Sequence, residues 1–187
     1  MLAKTNLDPA QIEAVTIGTS QFSRAIVERR NLTPVAAVRL GLPATQAIPP
    51  FTDWPADLQE VINGHAYLAH GGYEFDGRTI ARLQRSEIQE IANRIRDRGF
   101  HAVAVSSVFS MVNSSMEEEA AEIIRQTIPD ATITLSHEIG RMGLLERENA
   151  VIMNASLCDL AKNIIQTFRQ ALAEMQVQAP LYLSQND

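Results

Sequence analysis

The residues best suited to chemistry in this chain are concentrated between Ser136 and Asn154, which read Ser136-His137-Glu138-Ile139-Gly140-Arg141-Met142-Gly143-Leu144-Leu145-Glu146-Arg147-Glu148-Asn149-Ala150-Val151-Ile152-Met153-Asn154. Polar groups are costly to bury without partners, so this cluster is either a solvated loop or a site. His137 has the type of a general base or a metal ligand; its plainer role is a hydrogen bond to neighbouring backbone. His137-Glu138 matches the first half of the zinc-protease pattern H-E-x-x-H, but Arg141 occupies the place of the second histidine, so that chemistry is excluded. If a strand runs through His137 and Glu138, their side chains face opposite sides and do not work as one acid–base pair. Arg147 is the candidate to pair with Glu138 or Glu146, or to meet an anionic ligand. Glu146 precedes Met153 by two helical turns, on the extension of an apolar stripe, and Arg147 shares an adjacent face with Asn154 by the same spacing. Acids in the first turn of a helix also have a purely structural reading, because the helix dipole favours them.

A second candidate is Gly18-Thr19-Ser20, between a β-prone run and a helical one. Hydroxyls and free N–H groups at a helix start can hold an anion; a glycine turn with a Thr or Ser cap is the alternative. Neither phosphate-loop pattern, G-x-x-x-x-G-K-[ST] or G-x-G-x-x-G, occurs. His65, His70, His101 and Cys158 show no metal-ligand spacing, so no metal site is expected. Ser106-Ser107 and Ser114-Ser115 read as structural.

The elements that must position these groups alternate. Asp8-Pro9 caps a short helix over residues 10–14. Val15-Thr16-Ile17 is a strand, residues 21–30 a helix and Val35–Leu40 a second strand, a strand–helix–strand unit of the kind that forms parallel sheets. Four prolines at 43, 49, 50 and 55 argue against regular structure there. Residues 57–63 form a helical turn, and the runs 66–68 and 73–75 flank 69–72 as a hairpin; residues 41–80 thus read as an irregular inserted section with a β ribbon. Ser86–Arg98 is a helix with a Ser86/Gln89 capping box, 102–108 a strand, Ser114 or Ser115 to Gln126 a helix, and 132–135 a strand. A single long helix then runs to about Met175, with Met153, Leu157, Leu160, Ile164, Phe168, Leu172 and Met175 at helical period. Leu181-Tyr182-Leu183 begins a last strand. The class is α/β, a mixed or mostly parallel sheet flanked by helices.

Composition bounds the partners. Of 187 residues, 45% are hydrophobic and 20% charged, and the net charge is −6; these values suit an ordinary globular chain and argue against nucleic acid. No apolar run is long enough for a membrane span. One cysteine suits a reducing compartment, so the location is read as cytoplasmic.

Three ordered stretches then resemble the N-terminal region of the hydantoinase/oxoprolinase family, over nearly the whole chain. Val15-Thr16-Ile17-Gly18-Thr19-Ser20-Gln21-Phe22 with residues 25–30 resembles its Gly-Thr-Thr segment and Glu-Arg-Arg ending, with Ser20 for the second threonine and Arg24 for an asparagine. Leu135-Ser136-His137-Glu138, then Leu145-Glu146-Arg147-Glu148-Asn149-Ala150 and Asn154-Ala155, resemble a second signature. Residues 103–110 and 113–117 resemble a third, where Phe109, Met111 and Met116 replace aromatic or imidazole groups, so any role of those groups is lost or altered here. The resemblance implies an actin-like ATPase (ribonuclease H-like) lobe, and an enzyme that opens hydantoin-like or 5-oxoproline-like rings with ATP and Mg2+. Relatives in the family carboxylate ketones. It implies catalytic roles for His137, Glu138 and Arg147, and nucleotide or substrate contacts at Gly18, Thr19, Ser20 and Asn154. The partners it implies are a cyclic amide, the rest of the same polypeptide and a second hydantoinase-type subunit. The family's phosphate loops fall before Met1 and after Asp187, so residues 1–187 alone are expected neither to bind ATP tightly nor to turn it over. A non-catalytic assembly or partner-binding lobe is the competing reading.

Overall fold

The computed structural model describes residues 8–140 and 142–184. Contacts divide the chain into two compact units, residues 32–158 and residues 1–31 with 159–187.

The larger unit carries a four-stranded parallel sheet in the order β3-β2-β4-β5, formed by β2 (Val35–Leu42), β3 (His65–His70), β4 (Ala102–Ser107) and β5 (Thr132–Leu135). Strand β2 is buried along almost its full length, as expected of a strand with neighbours on both edges and helices on both faces. Its side chains alternate. Ala36, Val38 and Leu40 join Val103 and Val105 of β4 in a core with Ile88, Ile91 and Ile95 of α3 (Arg85–Asp97) and with Ala120, Ala121 and Ile124 of α4 (Ser115–Thr127). Val35 and Ala37 join Ala102 and Ala104 in a second core with Leu58 of α2 (Ala56–Val61) and with Val151, Ile152 and Ala155 of α6 (Leu144–Ser156). Each fully buried branched side chain contributes about 1.5–3 kcal/mol relative to exposure.

The smaller unit pairs β1 (Val15–Gly18) with β6 (Leu181–Ser184) in parallel, Val15 opposite Leu181 and Gly18 opposite Ser184, and holds α1 (Ser20–Glu28) and α7 (Cys158–Glu174). The expected pairing of β1 with β2 does not form. Propensity placed both strands correctly, but strand partners are chosen by long-range packing.

Further expectations are corrected. No hairpin crosses residues 69–72: β3 lies in the parallel sheet, and Gly71 and Gly72 carry the chain across its end at φ 149° and 91°. A Cβ on Gly72 would lie 3.0 Å from Cβ of Val108 and 3.2 Å from the Leu40 carbonyl oxygen. The small antiparallel ribbon is instead the Tyr73–Thr79 bridge around Asp76-Gly77. Ser86 is inside α3 and caps nothing; the cap position is Gln84. Residues 9–11 form a 3-10 turn, with Asp8 Oδ1 accepting from the Ala10 N–H at 3.0 Å. The single long helix is two helices broken at Leu157. The 153–175 stripe therefore changes phase at that break. Met153 is exposed, and α6 buries Arg147, Glu148, Val151, Ile152 and Ala155 instead. Among the described residues no helix is long and apolar enough to cross a membrane.

At the start of β3, His65 Nε2 lies 2.6 Å from Nη1 of Arg98, just beyond α3, and its ring stands edge-on to Phe100. Burial, then the Arg98 charge, hold the imidazole below its ordinary pKa. As pH falls, the unfolded chain protonates His65 first, so stability is lost on acidification. We expect the denaturant midpoint to fall between about pH 7 and pH 5, and His65→Gln to flatten that part of the profile. An unchanged slope in the variant would assign the titration elsewhere.

Candidate functional site

In open α/β sheets ligands meet the carboxyl ends of the strands, beside the point where the strand order reverses. Here β3 lies on one side of β2 and β4 with β5 on the other, so that point falls between the ends of β2 and β4. The alternation along β2 puts Arg39 on the face of Ala37, toward α6. Ser106 is its register partner on β4. Both meet Glu148. Arg39 Nε donates to Glu148 Oε1 at 2.8 Å, its Nη2 donates to Oε2, and Ser106 Oγ donates to Oε1 at 2.7 Å. Arg39 Nη1 donates to the Ile48 carbonyl, tying down the proline-rich loop. Arg39 is 0% and Glu148 2% exposed. Burial of two charges is tolerable only with this degree of pairing.

One layer further out, α4 supplies Glu117. Only Glu117 of the three consecutive glutamates shares the phase of Ala120, Ala121 and Ile124, so it is drawn inward and is fully buried. Its Oε1 accepts from Ser136 Oγ at 2.5 Å. Its Oε2 accepts from the His137 backbone N–H at 3.1 Å and lies 2.8 Å from His137 Nδ1. Ser136–Ile139 is a helical turn, α5, rather than the end of a strand. His137 therefore turns toward Glu117, and the expected opposite-face geometry of His137 and Glu138 is replaced by neighbouring positions on a helix. Glu138 is exposed.

Arg147 locks this layer. Nε donates to Ser136 Oγ at 2.9 Å, Nη1 to the carbonyls of Met142 and Gly143 at 3.0 and 3.3 Å, and Nη2 to the Ser107 carbonyl at 2.6 Å. Burial pushes the guanidinium below its ordinary pKa, opposed by the charges of Glu117 and Glu148. Those carboxylates, rather than the expected Glu138 or Glu146, supply the negative field around it. Gly140 is the close approach that allows this: a Cβ there would lie 2.3 Å from Cγ and 3.0 Å from Cα of Arg147.

His137 also borders a groove of about 350 Å3 with Ser110, Met111, Val112, Asn113 and Ser114. Phe109 holds φ 50° at the entrance to this loop, an uncommon conformation for a bulky residue, and Ser110 Oγ is 3.3 Å from Ser136 Oγ.

The structure thus brings His137 and Arg147 together through Ser136. Asn154 lies two turns along α6, exposed. Asn149 accepts from Trp54 Nε1 at 2.7 Å. Gly18, Thr19 and Ser20 belong to the smaller unit, where Thr19 occupies the cap position of α1 without a side-chain bond and Gly18 adjoins open space. Arg141 lies outside the described residues. Sequence reasoning missed Arg39 and Glu117, although both left a signal: a lone charge inside an apolar strand, and an acid on an apolar stripe.

A family model described as the hydantoinase/oxoprolinase N-terminal region matches residues 1–128. An uncharacterized protein of Methanocaldococcus jannaschii is 28% identical over 112 residues, covering 59% of this chain and 16% of that protein. The caprolactamase subunit alpha of Pseudomonas jessenii is 26% identical over 106 residues, 56% of this chain and 15% of that subunit. The matched part is therefore about a sixth of these relatives' length. The crystal structure of ATP-dependent caprolactamase from Pseudomonas jessenii superposes with a TM-score of 0.75 at 20% identity, over 97% of this chain and 28% of that one. Nucleotide-free acetone carboxylase superposes at 0.66 and 13% identity, over 92% and 28%.

Proposed function

The chain belongs to the hydantoinase/oxoprolinase N-terminal region family, and from this premise we propose that it is the N-terminal portion of an ATP-dependent cyclic amidohydrolase that works in the cytoplasm on hydantoin-like or 5-oxoproline-like rings. The family match over residues 1–128 carries the reading; the likeness in fold to ATP-dependent caprolactamase supports it. In this reading the larger unit is a lobe of an actin-like ATPase fold. ATP with Mg2+, when bound by the whole enzyme, would supply a phosphoryl group that makes the ring amide open to attack by water. His137, Glu138 and Arg147 form one wall of the cleft. His137 is the member whose side chain borders the 110–114 groove. Arg147 acts from beneath, holding α5 in place. Gly18, Thr19, Ser20 and Asn154 are assigned to nucleotide or substrate contact. A second hydantoinase-type subunit completes the enzyme.

The test is ring-dependent ATP turnover by the full-length natural protein with its partner subunit, using hydantoin, 5-oxoproline and caprolactam as substrates. ADP release coupled to ring opening is expected for at least one of them, and none for residues 1–187 alone. Absence of coupling for all three in the full protein would overturn the reading, and ATP turnover by residues 1–187 that depends on Thr19 would overturn its second part. A non-catalytic partner-binding lobe is the alternative. It is favoured by the protein acceptors among the described residues that engage Arg147.

A further inference from the structure

We propose that Glu117 is a positioning residue that fixes the tautomer of His137, so that Nε2 faces the 110–114 groove as a proton acceptor. The proton-acceptor role rests on the amidohydrolase reading; the tautomer assignment does not. Glu117 is fully buried and acceptor-only when ionised. The hydrogen on Nδ1 is therefore the one that satisfies the 2.8 Å contact, and a neutral imidazole then carries its lone pair on Nε2. Nε2 is the ring nitrogen that Glu117 does not engage. Nε2 lies 3.8 Å from Oε1 of the exposed Glu118, and the His137 side chain is 19% exposed beside Ser110, Asn113 and Ser114. Three further features make the arrangement rigid. Glu117 also accepts from the His137 backbone N–H and from Ser136 Oγ, and Ser136 is held by Arg147. Orienting an imidazole from its far nitrogen by a buried carboxylate is how a base is kept in its productive tautomer.

In that reading a water oxygen bonds to the ring carbonyl carbon as the C=O π pair moves onto oxygen, and the water O–H bond breaks as its proton passes to Nε2. When that pair returns to carbon the ring C–N bond breaks, and the nitrogen takes the proton back from Nε2. The imidazolium formed between the two steps is stabilised by the Glu117 carboxylate.

A second histidine provides an internal control. The His70 backbone N–H and Nδ1 meet Glu87 in the same pattern, at 2.9 and 3.1 Å, but Glu87 is part-exposed and His70 does not border the groove.

The experiment has two arms. Long-range 1H–15N correlation spectra of the 187-residue chain report the imidazole tautomers, with His137→Asn identifying the resonance. We expect His137 as Nδ1–H in the wild type and a mixture of tautomers in Glu117→Ala. Glu117→Gln preserves shape and keeps an acceptor, which guards against a folding failure. An Nε2–H tautomer in the wild type, or no change in Glu117→Ala with the fold intact, would overturn the positioning role. In the full-length enzyme, Glu117→Gln is expected to lower kcat about 100-fold or more, in the range of general acid–base contributions, with KM little changed. Glu87→Gln should leave both unchanged. Full activity in Glu117→Gln would overturn the proton-acceptor role. If the Nδ1–H tautomer is found but no ring substrate is turned over, the amidohydrolase reading fails while the positioning of His137 stands.

Discussion

Replacing Glu148 by glutamine should destabilise the larger unit by about 3–5 kcal/mol, because it leaves the Arg39 guanidinium buried without a counter-charge. Arg39 has no exposed surface, sits between two neighbouring strands, and gives two of its donors to the Glu148 carboxylate. Glutamine keeps the volume, retains one acceptor, and turns an N–H2 donor toward either Arg39 or Ser106. The measurement is equilibrium unfolding in urea followed by circular dichroism. A large drop in midpoint with an unchanged slope is expected. The matched double variant, Arg39→Met with Glu148→Leu, removes both charges and should recover most of the loss, since buried pairs are often replaceable by apolar groups of similar size. A Glu148→Gln protein within about 1 kcal/mol of wild type, against the cost expected of a broken buried pair, would mean that water reaches the pair and that this end of the sheet is open.

Replacing Arg147 should affect both stability and the site. Its donors reach the Ser107 carbonyl at the end of β4, the hydroxyl of Ser136, and the carbonyls of Met142 and Gly143. Arg147→Met removes these bonds and the positive charge near Glu117, although the Ser107 and Gly143 carbonyls keep backbone donors and Ser136 keeps Glu117. Buried hydrogen bonds lost from a charged donor cost about 1–3 kcal/mol each before relaxation, so we expect a net loss of roughly 3 kcal/mol. Arg147→Lys should recover little, because an ammonium cannot reproduce the planar fork. Amide hydrogen exchange gives the local readout: the 136–140 amides should lose protection in Arg147→Met more than those of β2 and β4. Uniform loss of protection would show a global effect and remove the special link between Arg147 and α5. Under the proposed function, the same variant should also lower ring-dependent ATP turnover of the longer protein by misplacing His137.

Much of the fold was legible in local pattern. Val35–Leu40, 102–108, 132–135 and 181–183 were read as strands within a residue or two of their observed limits. The helix expected over Ser86–Arg98 lies within a residue of α3, and the prolines at 43–55 marked an irregular loop. These features depend on residues a few positions apart, and periodicity records them directly. The break at Leu157 was not legible, because Met153, Leu157 and Leu160 happen to keep a helical spacing across it. The concentration of polar residues in Ser136–Asn154 is plain in the sequence, but which of them face inward depends on that break.

Pairing was decided by the tertiary structure. Val15 could extend a sheet with β2 or with β6, and nothing in its own composition distinguishes them. Glu148 finds Arg39 at a separation of 109 residues, and His137 finds Glu117 at 20. Both meetings follow from strand order and register, because a one-residue slip of β2 would turn Arg39 to the opposite face. The sequence by itself determined that this chain makes strands and helices in alternation and gathers its reactive groups near residue 140. Only the folded sheet decided that Glu117 and Glu148, rather than Glu138 or Glu146, supply the negative charge near Arg147, and that Glu117 meets His137. Buried charge must find a partner in space, and the partner that satisfies it is set by packing rather than by proximity along the chain.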